Sequence, residues 1–191
     1  MSFNGTQLRD LPFMSTVDAS SVPSGLMDTV WNITDMTCFS GYLREARMTA
    51  DFMAGDETGV VLFPSQYAGP DGFVRLSDKV IVLVGVKYRS ESLAEAIRAN
   101  NKTTDPKMFF TTTDGKEYDR GRFAYEREKT SSLRFELCLR LHIVIGPIPM
   151  DKRLICPEVK SEDGRYAVSV YIHAGNMDKF FSRLVVDKLT G

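Results

Sequence analysis

Two histidines, three cysteines and one dense cluster of lysines and arginines are the side chains in this 191-residue sequence from which chemistry could be built. A neutral imidazole can hold a metal or act as a base only where carboxylates or thiolates converge on it. His142 and His173 each lie in a run of alternating apolar residues, with no Asp, Glu or Cys at ligand spacing around them, so both read as structural or surface histidines. Cys138 and His142 are four residues apart on an expected strand and so share a face, but two ligands do not make a zinc site. Cys38, Cys138 and Cys156 form no C-x-x-C pair and are odd in number, the usage of reduced, buried thiols in an intracellular protein. G-x-S-x-G, Walker and G-x-G-x-x-G patterns are absent. The sequence therefore leads to no catalytic, cofactor or metal residues and to no small-molecule substrate. A small enzyme with a constellation that spacing does not reveal is the alternative.

The basic cluster is more specific. Lys116, Arg120, Arg122, Arg127 and Lys129 interleave with Tyr118, Phe123 and Tyr125, and Arg134, Arg140, Lys152 and Arg153 follow. Lysine and arginine supply charge, and aromatic rings stack or insert, so these nine cations are the candidate phosphate or lipid-headgroup contacts. Glu117, Asp119, Glu126 and Glu128 lie among them, which favours the plainer reading of residues 116–134 as a solvated face of mutually neutralising charges. The whole chain carries a net charge of −1 with a pI of about 6.1, so bulk charge points to no polyanion. Its distribution is uneven. Residues 1–71 hold three arginines against nine carboxylates, a net of −6, and the remainder carries +5. Asp10 and Asp18, in an acidic first segment, are candidate self-association residues that could dock on a basic patch of a second copy. Such a heterologous contact closes into rings or runs on as filaments.

The elements that must position these groups centre on residues 73–101. Val80-Ile81-Val82-Leu83-Val84 is the longest apolar run and predicts a buried central strand over 79–88, with Gly85 marking a bulge or a close backbone approach. Ser92 and Glu95 form a capping box for a helix over 92–100, with Leu93, Ala94, Ala96 and Ile97 as its apolar stripe and Asn100-Asn101 at its end. Residues 133–145 alternate, with Leu133, Phe135, Leu137, Leu139, Leu141 and Ile143 on one face. Arg134, Glu136, Cys138, Arg140 and His142 take the other, the pattern of a half-solvated antiparallel strand that exposes Arg134, Arg140 and His142. Further strands are expected at Val30–Ile33, Val60–Phe63, 108–113 and 166–173, and helices over 42–53 and 177–188, the last capped by Asn176. Asp114-Gly115 and Glu162-Asp163-Gly164 are turn signals, and 116–132 reads as a long loop or exposed hairpin. Val82, Val84, Leu93, Ile97, Leu139, Leu141 and Val170 are expected to be buried together. The result is an α+β fold: an antiparallel sheet with a few packed helices, a partly ordered acidic arm at 1–25 and a single domain at 26–191.

The first ten residues lack the apolar core of a signal peptide, and Ser2 excludes N-myristoylation. Asn4, Asn32 and Asn101 are sequons that matter only on an exported chain, and Pro64-Ser65-Gln66-Tyr67 lacks the second proline of a WW-domain ligand.

The run VIVLVGVKYRSESLAEAIRAN, a strand entering a short helix, followed by a broad set of strands and DKFFSRLVVDKL, resembles in layout the matrix proteins of negative-strand RNA viruses, especially rhabdoviruses and their plant-infecting relatives. The resemblance covers about residues 73–189. It implies a non-enzymatic, self-associating virion protein that bridges nucleocapsid RNA and an anionic membrane surface and resides in the cytoplasm before assembly. The acidic first segment departs from the lysine-rich arm frequent in that family, and Pro64–Tyr67 departs from its Pro-Pro-x-Tyr motif. A nucleic-acid- or protein-binding accessory module that does not assemble is the competing reading.

Overall fold

The β-branched run at the centre of the sequence forms the central strand of the fold. A computed structural model describes residues 3–15, 17–39, 43–88, 93–111, 123–145, 157–173 and 176–177. Nine strands are described: β1 (Thr6–Gln7), β2 (Val30–Trp31), β3 (Asp35–Cys38), β4 (Val60–Phe63), β5 (Gly72–Arg75), β6 (Val80–Tyr88), β7 (Leu137–Ile145), β8 (Glu158–Glu162) and β9 (Arg165–Ile172). Four α-helices accompany them: α1 (Ser24–Met27), α2 (Leu43–Ala54), α3 (Leu93–Thr103) and α4 (Ala124–Ser131). β1 and β2 make a small ribbon, and the other seven strands form one sheet in the order β3-β4-β5-β6-β7-β9-β8. The expected α+β, single-domain class holds.

The direction of the central strands does not follow the expected antiparallel pattern. β6 runs parallel to β7, from Val80 beside Leu137 to Tyr88 beside Ile145, and β7 runs parallel to β9, from Leu137 beside Tyr166 to Ile143 beside Ile172. The chain between β6 and β7 makes a crossover through α3 and α4, which returns it to the same end of the sheet and forces the parallel pairing. The β4–β5, β5–β6 and β8–β9 pairs are antiparallel, so the sheet is mixed. Nor is β7 half-solvated. Cys138 and His142 are fully buried, because a parallel strand in mid-sheet is covered on both faces.

Those two faces carry separate cores, and of the residues expected to be buried together Val82, Leu139, Leu141 and Val170, with the half-buried Val84 against them, do share one of these cores. On one face Val80, Val82, Leu139, Leu141, Val168 and Val170 pack against Leu8, Leu11, Phe13, Met14, Val22 and Leu26. The segment read as a partly ordered arm is thus a folded cap. Its apolar residues are irregularly spaced because they sit on 3-10 turns (Leu8–Asp10, Pro12–Met14) and loops, where no helical or strand period applies. The Arg9–Asp28 ion pair and the Phe13–Trp31 edge-to-face contact, 6.1 Å between centroids, tie it down. On the other face Ile81, Leu83 and Cys138 pack against Ala46, Ala50 and Met53 of α2 and against Phe109, Phe110 and Phe123. Ile97 belongs to neither core. With Ala96 of α3 and Val144 it makes a small third cluster, and the Leu93 side chain lies outside the described residues.

Two further expectations fail for local reasons. Residues 108–111 are not a strand. Asp105 accepts a hydrogen bond from the Lys107 backbone N–H (3.1 Å) and caps a 3-10 turn at Pro106–Met108. Phe110 then takes a left-handed φ of 55°, uncommon for a bulky residue, that turns its ring into the core. In place of an exposed loop or hairpin, Ala124–Ser131 is the helix α4, built from Ala, Glu, Arg and Lys, which lose little rotamer freedom in a helix. Its Tyr125 hydroxyl donates to Asp51 Oδ1 of α2 (2.5 Å). The helix over 42–53 is observed as α2 and the turn at 162–164 as the β8–β9 hairpin, with φ of 50° at Asp163 and 72° at Gly164. The Ser92 cap, the Asp114-Gly115 turn and the helix over 177–188 lie outside the described residues.

Gly85 causes no bulge: it pairs in register with His142. Its role is close approach, since a Cβ there would lie 2.9 Å from Asn100 Oδ1 and 3.0 Å from Thr104 Cγ2. α3 continues past Asn100, whose carboxamide turns inward over this glycine. Gly85→Ala should therefore destabilise the protein by about 1–3 kcal/mol through overpacking, measured by urea denaturation. Leu139→Ala and Leu8→Ala should each cost about 2–5 kcal/mol by leaving a cavity. An unchanged midpoint for Leu8→Ala would place the N-terminal segment outside the core.

Candidate anion-binding cleft

Register on the second sheet face sets the floor of a concavity. Cys138 pairs with Ala167, and Ala167 with Lys160, so Arg140, two residues beyond Cys138, shares their face. A cavity of about 710 Å³ opens above Arg140, Ala167 and Lys160. One wall is α4, through Arg127, Thr130 and Ser131, with Leu133 and Phe135 leading into β7. The opposite rims are the Asp105–Phe109 turn and the β8–β9 hairpin tip, with Glu162, Asp163 and Arg165. The volume is within the range of ligand pockets.

The electrostatics favour an anion. Lys107, Arg127, Arg140, Lys160 and Arg165 line the cavity against Asp105, Glu162 and Asp163, five cations to three carboxylates. Lys107 Nζ meets Glu162 Oε2 at 3.0 Å across the two rims, an exposed pair that solvent screens. Hydrogen bonding to Glu162 raises the Lys107 ammonium above its ordinary range. Arg140 reaches Asp105 at only 3.7 Å, and its Nε is buried without a hydrogen-bond partner among the described residues. A buried guanidinium donor left unpaired is costly, and the charged group that carries it lies in the floor of the cleft. The Arg165 guanidinium lies 5.5 Å from the centroid of the Phe135 ring, a cation–π contact that holds both at the wall.

Deeper on the same face lies a polar row. Gly85, His142 and Tyr171 are neighbours across β6, β7 and β9, and the His142 and Tyr171 rings stack with centroids 4.8 Å apart. Neither His142 nitrogen has a hydrogen-bond partner among the described residues, and neither does the Asn100 carboxamide above it. Burial, helped by the Arg140 guanidinium, pushes the His142 imidazole down to about 4. His173 is lowered by burial as well. Burial pushes the Cys138 thiol up to about 11, which removes it as a nucleophile at neutral pH. Among the described residues no group of three or more His, Cys, Asp or Glu could hold a metal ion, and no helix is long and apolar enough to cross a membrane.

Of the nine cations singled out in the sequence, Arg127 and Arg140 are brought together in the cleft. Lys129 faces elsewhere, 5.7 Å from the Tyr125 ring centroid, beside α2. Arg134 donates to the Ser132 carbonyl at 3.1 Å. Arg134, Arg140 and His142 do not form one exposed face, because Arg140 and His142 lie inside. Lys116, Arg120, Arg122, Lys152 and Arg153 lie outside the described residues. Asp10 and Asp18 are exposed on the N-terminal cap, where hydrogen bonds from Ser20 hold the Asp18 carboxyl below its usual range. Lys107, Lys160, Arg165 and Phe135 were not foreseen. They come from separate segments that only the parallel crossover and the hairpin bring together, and no local spacing announces them.

No protein-family model, curated protein or solved structure matches the chain.

Cys38 is exposed and Cys138 buried. Brief treatment of the native chain with a thiol reagent at pH 8 should modify Cys38 and spare Cys138, as read by peptide mass spectrometry. Equal modification of both would contradict the burial of the second sheet face.

Proposed function

We propose that this is a non-enzymatic binding and assembly protein of the matrix-like kind its sequence layout resembles, and that the cleft receives the phosphates of single-stranded RNA. The observation that carries this reading is the excess of cations in a concave site whose floor holds the Arg140 guanidinium. Concavity supports a single strand over a membrane surface. A flat bilayer surface cannot follow the cleft, whereas a single strand can enter it and set bases against Phe135 and Tyr166. The exposed Asp10 and Asp18 belong to the cap on the opposite sheet face, so acidic and basic surfaces point away from each other. That is the arrangement a head-to-tail contact between copies requires.

Fluorescence anisotropy with labelled oligouridylate over a salt series tests this. Binding should weaken with salt, and the Arg127→Ala/Lys160→Ala/Arg165→Ala chain should bind at least about tenfold more weakly. Its log–log salt slope should fall by about 2, given about 0.7 counterions released per phosphate contact on a single strand. Unchanged affinity and slope in the triple variant would remove the cleft from the function. Binding of anionic vesicles without any binding of RNA would transfer the role to a membrane surface.

A further inference from the structure

The polar row beneath α3 has a consequence separate from the cleft and independent of how the cleft is read. Among the described residues α3 is held to the sheet by a small apolar cluster, Ala96 and Ile97 against Val144, whereas the two main cores each join more than ten buried residues. Beside that cluster the inner face carries a buried polar side chain, Asn100. Asn100 is fully buried over Gly85 and His142 is fully buried beside it, and four polar atoms on these two side chains have no hydrogen-bond partner among the described residues. An interface with few apolar contacts and unpaired buried polar groups belongs to the low-stability end of local opening.

We propose that this layer is a proton-operated latch, in which uptake of a proton by His142 releases α3 from the sheet. The proton comes from solvent and binds one of the unpartnered ring nitrogens. Among the described residues no carboxylate acts on the resulting imidazolium to offset the charge. From its own strand it faces Arg140, a second cation, whose nearest carboxylate, Asp105, is already at 3.7 Å from that guanidinium. From β6 it faces Gly85, and Lys87 further along pairs with Asp71 at 3.9 Å. From β9 it faces Tyr171, with Ser169 and His173 two residues to either side. Over Gly85, its neighbour on β6, lie Asn100 of α3 and Thr104 just beyond it, which carry no charge. Charging the imidazole in this setting is opposed by burial and by Arg140, and is relieved when α3 lifts and water enters.

The sign follows from the two states. In the open state His142 is solvated and ionises near its ordinary 6.5, and in the closed state near about 4, so the open state holds more protons in between. Opening is therefore favoured as pH falls below 6.5, by roughly 30-fold between pH 7.5 and 5. Because α3 leads into the Asp105–Met108 rim, the release also reaches the edge of the cleft.

Native-state hydrogen exchange of the full chain, read by mass spectrometry and corrected for the intrinsic pH dependence of amide exchange, tests the latch. Peptides covering 95–103 should lose roughly 30-fold in protection between pH 7.5 and 5, while α2 and β7 keep theirs. The loss should vanish in His142→Leu and persist in His173→Gln. His142→Gln, polar and without titration, serves in place of the leucine variant if that chain does not fold. Constant protection of α3 in the wild-type chain, or an undiminished loss in the His142 variant, would overturn the proposal. So would abolition of the loss by His173→Gln.

Discussion

The parallel pairing of β6 with β7 is the constraint on which the rest of this structure depends. A parallel pair cannot be joined by a tight turn, so the intervening chain must cross over one face of the sheet, and here it does so through α3, the Pro106–Met108 turn and α4. That crossover puts a roof over Cys138, Arg140 and His142, which would otherwise face water. It also leaves the opposite face of the same strands to be covered by another part of the chain, the N-terminal segment. Burial of apolar surface on both faces, by Val82, Leu139 and Val170 on one side and Ile81 and Leu83 on the other, is then the main stabilising term, and the hydrogen-bonded ladder sets the register in which it is collected.

The polar groups inherited by the roofed face account for the features with chemical potential. Arg140 and His142 are two residues apart on one strand and share that face, yet they meet different neighbours. Arg140 comes up beneath the gap between α4 and the β8–β9 hairpin, and becomes the floor of a cationic cleft. His142 comes up beneath α3 and becomes a buried, unpaired base. The same topology that builds the core thus separates a cation-lined cleft from a buried imidazole along one strand. Lys107 and Asp105 lie in the segment that joins the two.

Much of this was legible in the sequence, and the remainder was not, for identifiable reasons. The run Val80–Val84 announces a strand buried on both faces because successive residues are all apolar, and Ala46, Ala50 and Met53 announce α2 because helical spacing is local information. Strand direction is not local. The alternation around Leu139 is the same whether the polar face meets water or a helix, and only the crossover decides. Residues 108–111 look like a strand because Phe and Thr favour one, but Asp105-Pro106 starts a turn that rotates Phe109 and Phe110 into the core. The N-terminal segment looks unstructured because its buried residues, Leu8, Leu11, Phe13 and Met14, follow 3-10 turns and loops with no repeating period. In the cleft, Arg127 and Arg140 could be picked out as cations near aromatic residues. Lys160 and Arg165 belong to a hairpin whose position depends on β9 joining β7, a pairing of residues distant in sequence.

The central claim is that the cleft formed by the crossover, with the Arg140 guanidinium in its floor, receives the phosphates of a single strand. The most direct measurement is the Nε–Hε correlation spectrum of the arginine side chains recorded while oligouridylate is added. The Arg140 resonance should shift on the same saturation curve as those of Arg127 and Arg165, while Arg9 and Arg44, away from the cleft, remain still. A stationary Arg140 resonance under conditions where RNA binds and Arg9 or Arg44 moves would contradict the account.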